Sequence, residues 1–397
     1  MHKALSASDL AEHGARLSVG ASLAIAPKGL LGNAQMLARE RLAPYSGEDS
    51  APPQPGVHVG SRFKLRTKDG FELASLYVDA GAGTGSGGSR RTSKRRKRDE
   101  ADEPSSASAS SSSGAASSSS GGASSGADPD TQRRGVIAFH GNGMTLDGMG
   151  PFVEFYAARG VSVLLLTMRG YPGSTGDVRE QGEAGMYLDG AAAVDWLVAE
   201  KGFAPRQLIA HGFSLGGSIA AAAALHHDLG ALVLDHTFTS AAAVSVHVVN
   251  DTLTREAAAE DGDWRARWVP AWLSAGVAKG VIGNAFAPGV SVDLGRAGVV
   301  ATDGLASVKK VAGFGGALVL IYGTADEIIP VSFADDFEAA AMARVVTTGS
   351  GSAAAAGSPA ASFTRVECDG GAHCCTQFED AQQCATIAEA LGLPSGC

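Results

Sequence analysis

The chain has few aromatic residues and few charged residues for its length. Of its 397 residues, 6% are aromatic and 18% are charged, whereas 45% are hydrophobic. A chain with too little apolar surface to bury remains disordered, and this composition excludes that state for the chain as a whole. Because rings are scarce, we expect a core packed mainly by Ala, Val, Leu and Ile.

Long apolar runs and a basic surface are also missing. No segment of 18 consecutive apolar residues occurs, so no membrane-spanning helix is predicted, and the N-terminus shows no signal-peptide pattern. The net charge is −9, whereas a nucleic-acid-binding domain usually carries a basic face. We therefore expect no nucleic-acid partner and a cytoplasmic location. One dense basic run, residues 90–98, leaves nuclear import open.

Cysteine is scarce and confined to one end of the chain. The five cysteines are Cys368, Cys374, Cys375, Cys384 and Cys397. An odd number without a signal peptide does not indicate a disulfide framework. Their spacing does not form the paired C-x-x-C knuckles of a zinc site. We expect ordinary thiols and no metal.

Low-complexity segments divide the chain. Residues 81–132 and 346–362 consist largely of small and polar residues, which cannot bury enough apolar surface to become ordered. We predict an N-terminal, partly helical arm at 1–60 and one domain at 61–397. That domain is interrupted by the disordered insert 81–132, a lid region at 241–312 and the low-complexity loop 346–362.

Apolar runs predict the strands of a parallel sheet. Two alternating runs on either side of Asp69-Gly70 are typical of a β-hairpin. Beyond the insert, continuous apolar runs alternate with helical patterns, and such runs indicate strands covered on both faces. The runs are 136–139, 161–166, 208–210, 231–234, 317–322 and 363–366. We therefore predict an α/β fold with a doubly wound, mostly parallel sheet and helices on both faces.

One long stretch interrupts this alternation. Between Leu234 and Ala317 the sequence shows no clear strand, but it holds three of the four tryptophans: Trp264, Trp268 and Trp272. Their spacing places them on one face of a helix. This helix either packs on the body of the domain or forms a lid over a pocket with an aromatic lining. We predict a helical lid insertion.

A G-x-S-x-G pattern at 212–216 follows an apolar strand and precedes an Ala-rich helix. The chemistry of this motif needs a serine at the apex of a tight turn, so that its hydroxyl projects above the sheet. Gly212 and Gly216 prevent side chains from colliding across the turn. A second match, around Ser124, lies in the low-complexity insert without such neighbours. Ser214 is therefore the predicted nucleophile.

A nucleophilic serine needs a base, and the base needs an orienting acid. Of the ten histidines, His373 is the candidate base, because it follows the last strand in a glycine-containing loop that can direct its imidazole towards Ser214. Asp326 is the candidate acid, because it follows the penultimate strand at the same edge of the sheet. Asp235 is a weaker candidate, and Asp369 is interpreted as a turn residue.

The glycine-rich turn at 140–143 follows another strand. An oxyanion hole needs two N–H donors directed at one point. The backbone N–H of Leu215, next to the nucleophile, and that of Asn142 are the predicted donors. A plain strand-to-helix turn is the alternative for 140–143. His140 and His211, at strand ends beside the motifs, are interpreted as structural.

These segments resemble the α/β-hydrolase superfamily. The order Ser214, Asp326, His373 is the order of its triad. Four further segments resemble its oxyanion segment, R-G-Y-G-x-S-x-G loop, post-strand segment and acid loop: 139–143, 168–176, 235–240 and 323–330. Pro172 departs from the second of these patterns. The closer likeness is to α/β-hydrolase-domain serine hydrolases, which include acyl-protein thioesterases and lipases.

The resemblance covers about 61–80 and 133–392. It implies an α/β-hydrolase fold and a serine hydrolase that cleaves carboxylic esters or thioesters through an acyl-enzyme intermediate. The substrate it implies is a small-molecule or lipid acyl compound, without a metal or organic cofactor, and it leaves peripheral membrane contact open. A peptidase or acyltransferase with the same triad, or a catalytically silent interaction protein, are the alternatives. The oligomeric state is not predicted.

Overall fold

The computed structural model describes residues 60–80, 133–176, 178–244, 246–247, 291–293, 299–301, 304–348, 362–373, 378 and 380–395. Several predictions fall outside these residues: those on the arm at 1–59, the insert 81–132 with its basic run and Ser124, the tryptophan helix, most of the loop 346–362, and Cys374, Cys375 and Cys397.

The described residues form a central sheet and a separate hairpin. The strands are β1 (Ser61–Arg66), β2 (Glu72–Val78), β3 (Gly135–Phe139), β4 (Ser162–Leu166), β5 (Leu208–Phe213), β6 (Ala231–Asp235), β7 (Ser291–Asp293), β8 (Val299–Ala301), β9 (Ala317–Gly323) and β10 (Phe363–Cys368). The central sheet has the order β1-β2-β4-β3-β5-β6-β9-β10. β1 and β2 form the predicted antiparallel hairpin, β2 pairs antiparallel with β4, and the remaining pairs in this sheet are parallel.

Helices cover both faces of this sheet. They are α1 (Gly150–Ala157), α2 (Val178–Lys201), α3 (Gly216–His227), α4 (Ser307–Gly313), α5 (Ser332–Thr348) and α6 (Ala381–Ala390). The buried side chains form two clusters, one with α1 and α6 and the other with α2, α3, α4 and α5. Within β9, Leu318 and Leu320 join one cluster whereas Val319 and Ile321 join the other, as alternation along a strand requires. The predicted doubly wound, mostly parallel sheet is confirmed.

Helix α3 lies close to the sheet because its side chains are small. Residues Ala220–Ala224 are each at most 2% exposed. Alanine loses no side-chain entropy in a helix and has the highest helix propensity. The helix begins immediately after Ser214-Leu215 and ends at His227, and the next residue, Asp228, adopts a left-handed conformation. The position of the predicted nucleophile is thus fixed by a fully packed helix.

The structure adds detail where the sequence pattern was weak. The small hairpin β7–β8 lies in the region predicted without a clear strand, because three-residue strands are too short for a pattern to reveal. Helix α4, in the last part of the predicted lid region 241–312, packs on α3 and α5. Helix α5 continues to Thr348, into the predicted loop 346–362. In the described part of the chain, no helix has the length and hydropathy needed to cross a bilayer.

A buried ion-pair network fixes the loop after β4. The Arg169 side chain is fully buried, with one guanidinium nitrogen 2.7 Å from Asp189 of α2 and another 2.7 Å from Asp69 of the β1–β2 turn. The backbone N–H of Arg169 also donates to Asp189, at 2.9 Å. One side chain therefore ties the loop, the hairpin and α2 together.

Replacing Arg169 by Met should lower the free energy of unfolding by about 3–5 kcal/mol, because Asp189 would remain buried without its cation. Arg206 provides the matched control, since its ion pair with Asp228 is between side chains that are 38% and 69% exposed. Arg206→Met should cost no more than about 1 kcal/mol. Urea denaturation of both variants measures the difference, and equal losses would contradict the role assigned to Arg169.

Candidate active site

Ser214 lies in the tight turn between β5 and α3. Its backbone is left-handed, with φ 51°, and its N–H donates to the carbonyl of Asp235 at 2.8 Å. A Cβ added to Gly216 would collide with the carbonyl of Phe139, and one added to Gly212 would collide with the backbone of Gly216. The turn can therefore close only with glycine at both of these positions.

The structure brings the three predicted triad side chains together. Nε2 of His373 lies 3.1 Å from Oγ of Ser214, and Nδ1 lies 2.8 Å from a carboxylate oxygen of Asp326. An ionised carboxylate can only accept hydrogen bonds, so Nδ1 carries the proton and the Nε2 lone pair faces the hydroxyl. The Asp326 side chain is fully buried and that of His373 is 13% exposed. The three side chains form one hydrogen-bonded chain.

The acid and base loops are held against each other by backbone contacts. The second carboxylate oxygen of Asp326 accepts the N–H groups of Ile328 at 2.9 Å and Ile329 at 2.8 Å. The N–H of Ala325 donates to the carbonyl of Gly371 at 2.9 Å. Backbone hydrogen bonds on both sides of Asp326 thus orient its carboxylate, independently of its contact with the imidazole.

An aromatic cluster holds the chain beyond His373. Phe378 lies between Phe152 and Phe155 of α1, with ring centroids 5.0 and 4.8 Å away, and its ring lies 6.0 Å from that of His211. These distances are typical of favourable ring contacts. This cluster has no signal in the sequence, because its contacts join residues far apart in the chain.

The predicted oxyanion donors belong to segments that meet at Ser214. Leu215 follows the serine at the start of α3, where the first N–H groups of a helix have no intrahelical acceptor. A Cβ added to Gly141, next to Asn142, would come within 3.3 Å of Cβ of Ser214. The backbone of this turn therefore closely approaches the serine. The role of the two N–H groups as donors stays a prediction.

Buried polar side chains fix the turn that contains Asn142. Nε2 of His140 accepts the N–H of Met168 at 3.0 Å, and its Nδ1 donates to the carbonyl of Gly141 at 2.8 Å. The hydroxyl of Tyr171 donates to the side-chain oxygen of Asn142 at 3.2 Å. Burial lowers the pKa of His140 to about 4, although its hydrogen bond to Gly141 opposes the shift. His140 is thus neutral near pH 7 and can accept from Met168.

Asp235, the weaker candidate for the acid, is held by two other histidines. Its carboxylate lies 3.2 Å from Nε2 of His211 and 2.6 Å from Nδ1 of His236. Burial would raise the pKa of Asp235, but the hydrogen bonds from these imidazoles offset it and lower the pKa to about 2. Asp369, interpreted as a turn residue, is exposed in the turn after β10. Within the described residues, no group of three His, Cys, Asp or Glu is arranged to hold a metal ion.

The chain resembles known hydrolases in sequence and in fold. The family model described as X-Pro dipeptidyl-peptidase (S15 family) matches residues 75–264. An esterase of Pyrococcus furiosus has a TM-score of 0.52 against this structure at 14% identity, covering 89% of this chain and 97% of its own. The structure therefore has the α/β-hydrolase fold. The predicted α/β-hydrolase fold is thereby confirmed.

Curated relatives match shorter segments of the chain. Protein bem46 of Schizosaccharomyces pombe is 32% identical over 108 residues, which are 26% of this chain and 35% of bem46. The multifunctional-autoprocessing repeats-in-toxin of Vibrio cholerae is 32% identical over 121 residues, 29% of this chain and 3% of the toxin. The chain thus spans 35% or less of the length of these relatives.

His140 should make the fold sensitive to acid. Its ordinary pKa of 6.5 applies to the unfolded chain, and its pKa in the fold is about 4, so the unfolded state binds the proton first. Its contribution is complete above pH 6.5 and is lost as the pH falls towards 4, by up to about 3 kcal/mol.

Urea denaturation between pH 7 and 4 tests this. His140→Gln should flatten the fall in unfolding free energy across that window, whereas His226→Gln, at a half-buried histidine near the end of α3, should retain the wild-type slope. A His140→Gln variant with the wild-type slope would show that another group is responsible.

Proposed function

We propose that this protein is a hydrolase that cleaves carboxylic esters or thioesters of small-molecule or lipid acyl groups. Ser214 is the nucleophile, His373 the general base and Asp326 the acid that orients it. The observation that supports this is the continuous hydrogen-bonded chain from the serine hydroxyl through both imidazole nitrogens to the carboxylate. Such a chain lets a serine hydroxyl lose its proton as it attacks a carbonyl.

The first half of the cycle transfers the acyl group to the enzyme. Oγ of Ser214 attacks the carbonyl carbon while its proton passes to Nε2 of His373. The negative charge that develops on the carbonyl oxygen is stabilised by the N–H groups of Leu215 and Asn142. When the tetrahedral intermediate collapses, the bond to the alcohol or thiol breaks, and His373 returns its proton to that leaving group.

The second half releases the acid. Water, deprotonated by Nε2 of His373, attacks the carbonyl carbon of the acyl-enzyme. The bond to Ser214 breaks and Oγ recovers the proton from the imidazolium. Asp326 keeps its proton-free carboxylate throughout and stabilises the positive ring. The cycle is balanced without a metal or an organic cofactor.

A peptidase activity is the second candidate, and one observation favours it: the match of 75–264 to the X-Pro dipeptidyl-peptidase family. The acylation chemistry is the same, but the leaving group is an amine. The proposal for esters predicts hydrolysis of p-nitrophenyl esters or acyl thioesters with kcat/KM at least 100-fold above that for X-Pro p-nitroanilides. The reverse ratio would overturn the ester proposal in favour of the peptidase.

A fluorophosphonate probe separates an enzyme from a silent interaction protein. Wild-type protein should be labelled, because the probe reacts only with an activated serine. Ser214→Ala should abolish labelling, and Ser124→Ala, which removes the other G-x-S-x-G serine, should leave it unchanged. Gel fluorescence and intact-mass spectrometry measure the adduct. Absence of labelling in folded wild-type protein would remove the basis for any serine-hydrolase mechanism.

A further inference from the structure

A second histidine lies beside the proposed base. The rings of His236 and His373 meet edge to face, with centroids 6.0 Å apart and planes at 89°, which is a favourable geometry for aromatic contact. Phe213 contacts both rings, at 5.3 Å from His373 and 6.0 Å from His236. The imidazole of His373 is thus confined by two rings as well as by its two hydrogen bonds.

His236 is itself rigidly held. Its ring is fully buried, its Nδ1 donates to Asp235 at 2.6 Å, and its backbone N–H donates to the carbonyl of Ile321 at 2.8 Å. The ring of Tyr322 lies 6.2 Å away. Because both its backbone and its side chain are held by hydrogen bonds, the His236 ring can restrict the rotation of the neighbouring imidazole.

The hydrogen bonds that hold His236 continue through Asp235 and His211 to helix α1. The second oxygen of Asp235 lies 3.2 Å from Nε2 of His211, whose Nδ1 lies 2.8 Å from the hydroxyl of Tyr156 on α1. All four side chains of this buried chain are fully buried. A buried carboxylate is stable only with hydrogen-bond donors, so Asp235 is held in place by the two imidazoles and in turn holds His236.

The backbone at His236 is strained in the same way as at the nucleophile. His236 has φ 49° and Ser214 has φ 51°, a left-handed conformation that is uncommon for residues other than glycine. Asp235 joins the two, because its carbonyl accepts the N–H of Ser214 and its carboxylate accepts Nδ1–H of His236. Backbone strain of this kind clusters at functional sites.

We propose that His236 is a positioning residue that holds the imidazole of His373 in the orientation where Nε2 faces Ser214. This inference rests on the proposed function. His236 acts through His373 and not on the reacting atoms. Without the His236 ring, both hydrogen bonds of His373 can still form, but its imidazole can rotate away from the geometry needed for attack. A misplacement of about 1 Å can cost about 100-fold in rate.

His236→Asn is the sharpest variant. Asparagine tolerates a left-handed backbone, so the variant removes the imidazole ring and keeps the backbone conformation at position 236. We expect kcat for an ester substrate to fall about 10- to 100-fold with KM changed less than about twofold, because substrate contacts remain while attack geometry is populated less. The fluorophosphonate labelling rate should fall by a similar factor.

His227→Asn is the matched control. His227 is also a buried histidine, but it lies at the far end of α3, about 16 Å along the helix from Gly216 at 1.5 Å per residue. It should lower the melting temperature without changing kcat. A merely structural His236 would show this same pattern, which would overturn the proposal.

The remaining outcomes are also decisive. If His236→Asn does not fold, Asp235→Asn removes the carboxylate that fixes His236, and a fall in kcat at constant KM supports the proposal. A folded variant with kcat within twofold of wild type overturns the positioning role alone. If wild-type protein neither hydrolyses esters nor is labelled, the proposed function fails and the positioning role fails with it.

Discussion

The left-handed turn at Ser214 is the constraint around which the site is built. A non-glycine residue in this conformation costs on the order of 1–3 kcal/mol, and the surrounding contacts must offset that cost. The hydrogen bond from Ser214 to Asp235, the bare backbones of Gly212 and Gly216, and the packed alanines of α3 all act on this one turn. The serine hydroxyl is held 3.1 Å from Nε2 of His373 because the rest of the turn cannot relax.

The order of strands explains why distant residues meet. Strands β5, β6, β9 and β10 are consecutive neighbours and parallel, so their carboxyl ends lie side by side along one edge. Ser214, Asp326 and His373 follow β5, β9 and β10, and Asp235 is the last residue of β6. The polar groups of the site can therefore approach one another through short loops. Backbone hydrogen bonds between the loops of Asp326 and His373 then hold the acid and the base together.

Much of this could be predicted from the sequence, because strand ends are visible as the limits of apolar runs and Ser214, Asp326 and His373 stand just beyond them. The role of His236 could not be predicted. The contact between the rings of His236 and His373 depends on the orientation of both side chains, which no sequence pattern encodes. A glycine at position 236 would have suggested a left-handed backbone, but a histidine does not. The adjacency of Asp235 and His236 was visible, but only the pairing of β5 with β6 shows that His211 shares the carboxylate.

The orientation of His373 also bears on the choice between the two proposed activities, on esters and on peptides. A thiolate or phenolate leaves without help, whereas an amine must receive a proton from the imidazole as the carbon–nitrogen bond breaks. In the proposed cycle the attack on the carbonyl is the same for an ester and a peptide, and the proton transfer to the leaving group, later in the same acylation half, is the step that differs. An imidazole confined by Phe213, His236 and two hydrogen bonds is well placed for both transfers. The proposed triad therefore supports the release of either leaving group and does not by itself select between them.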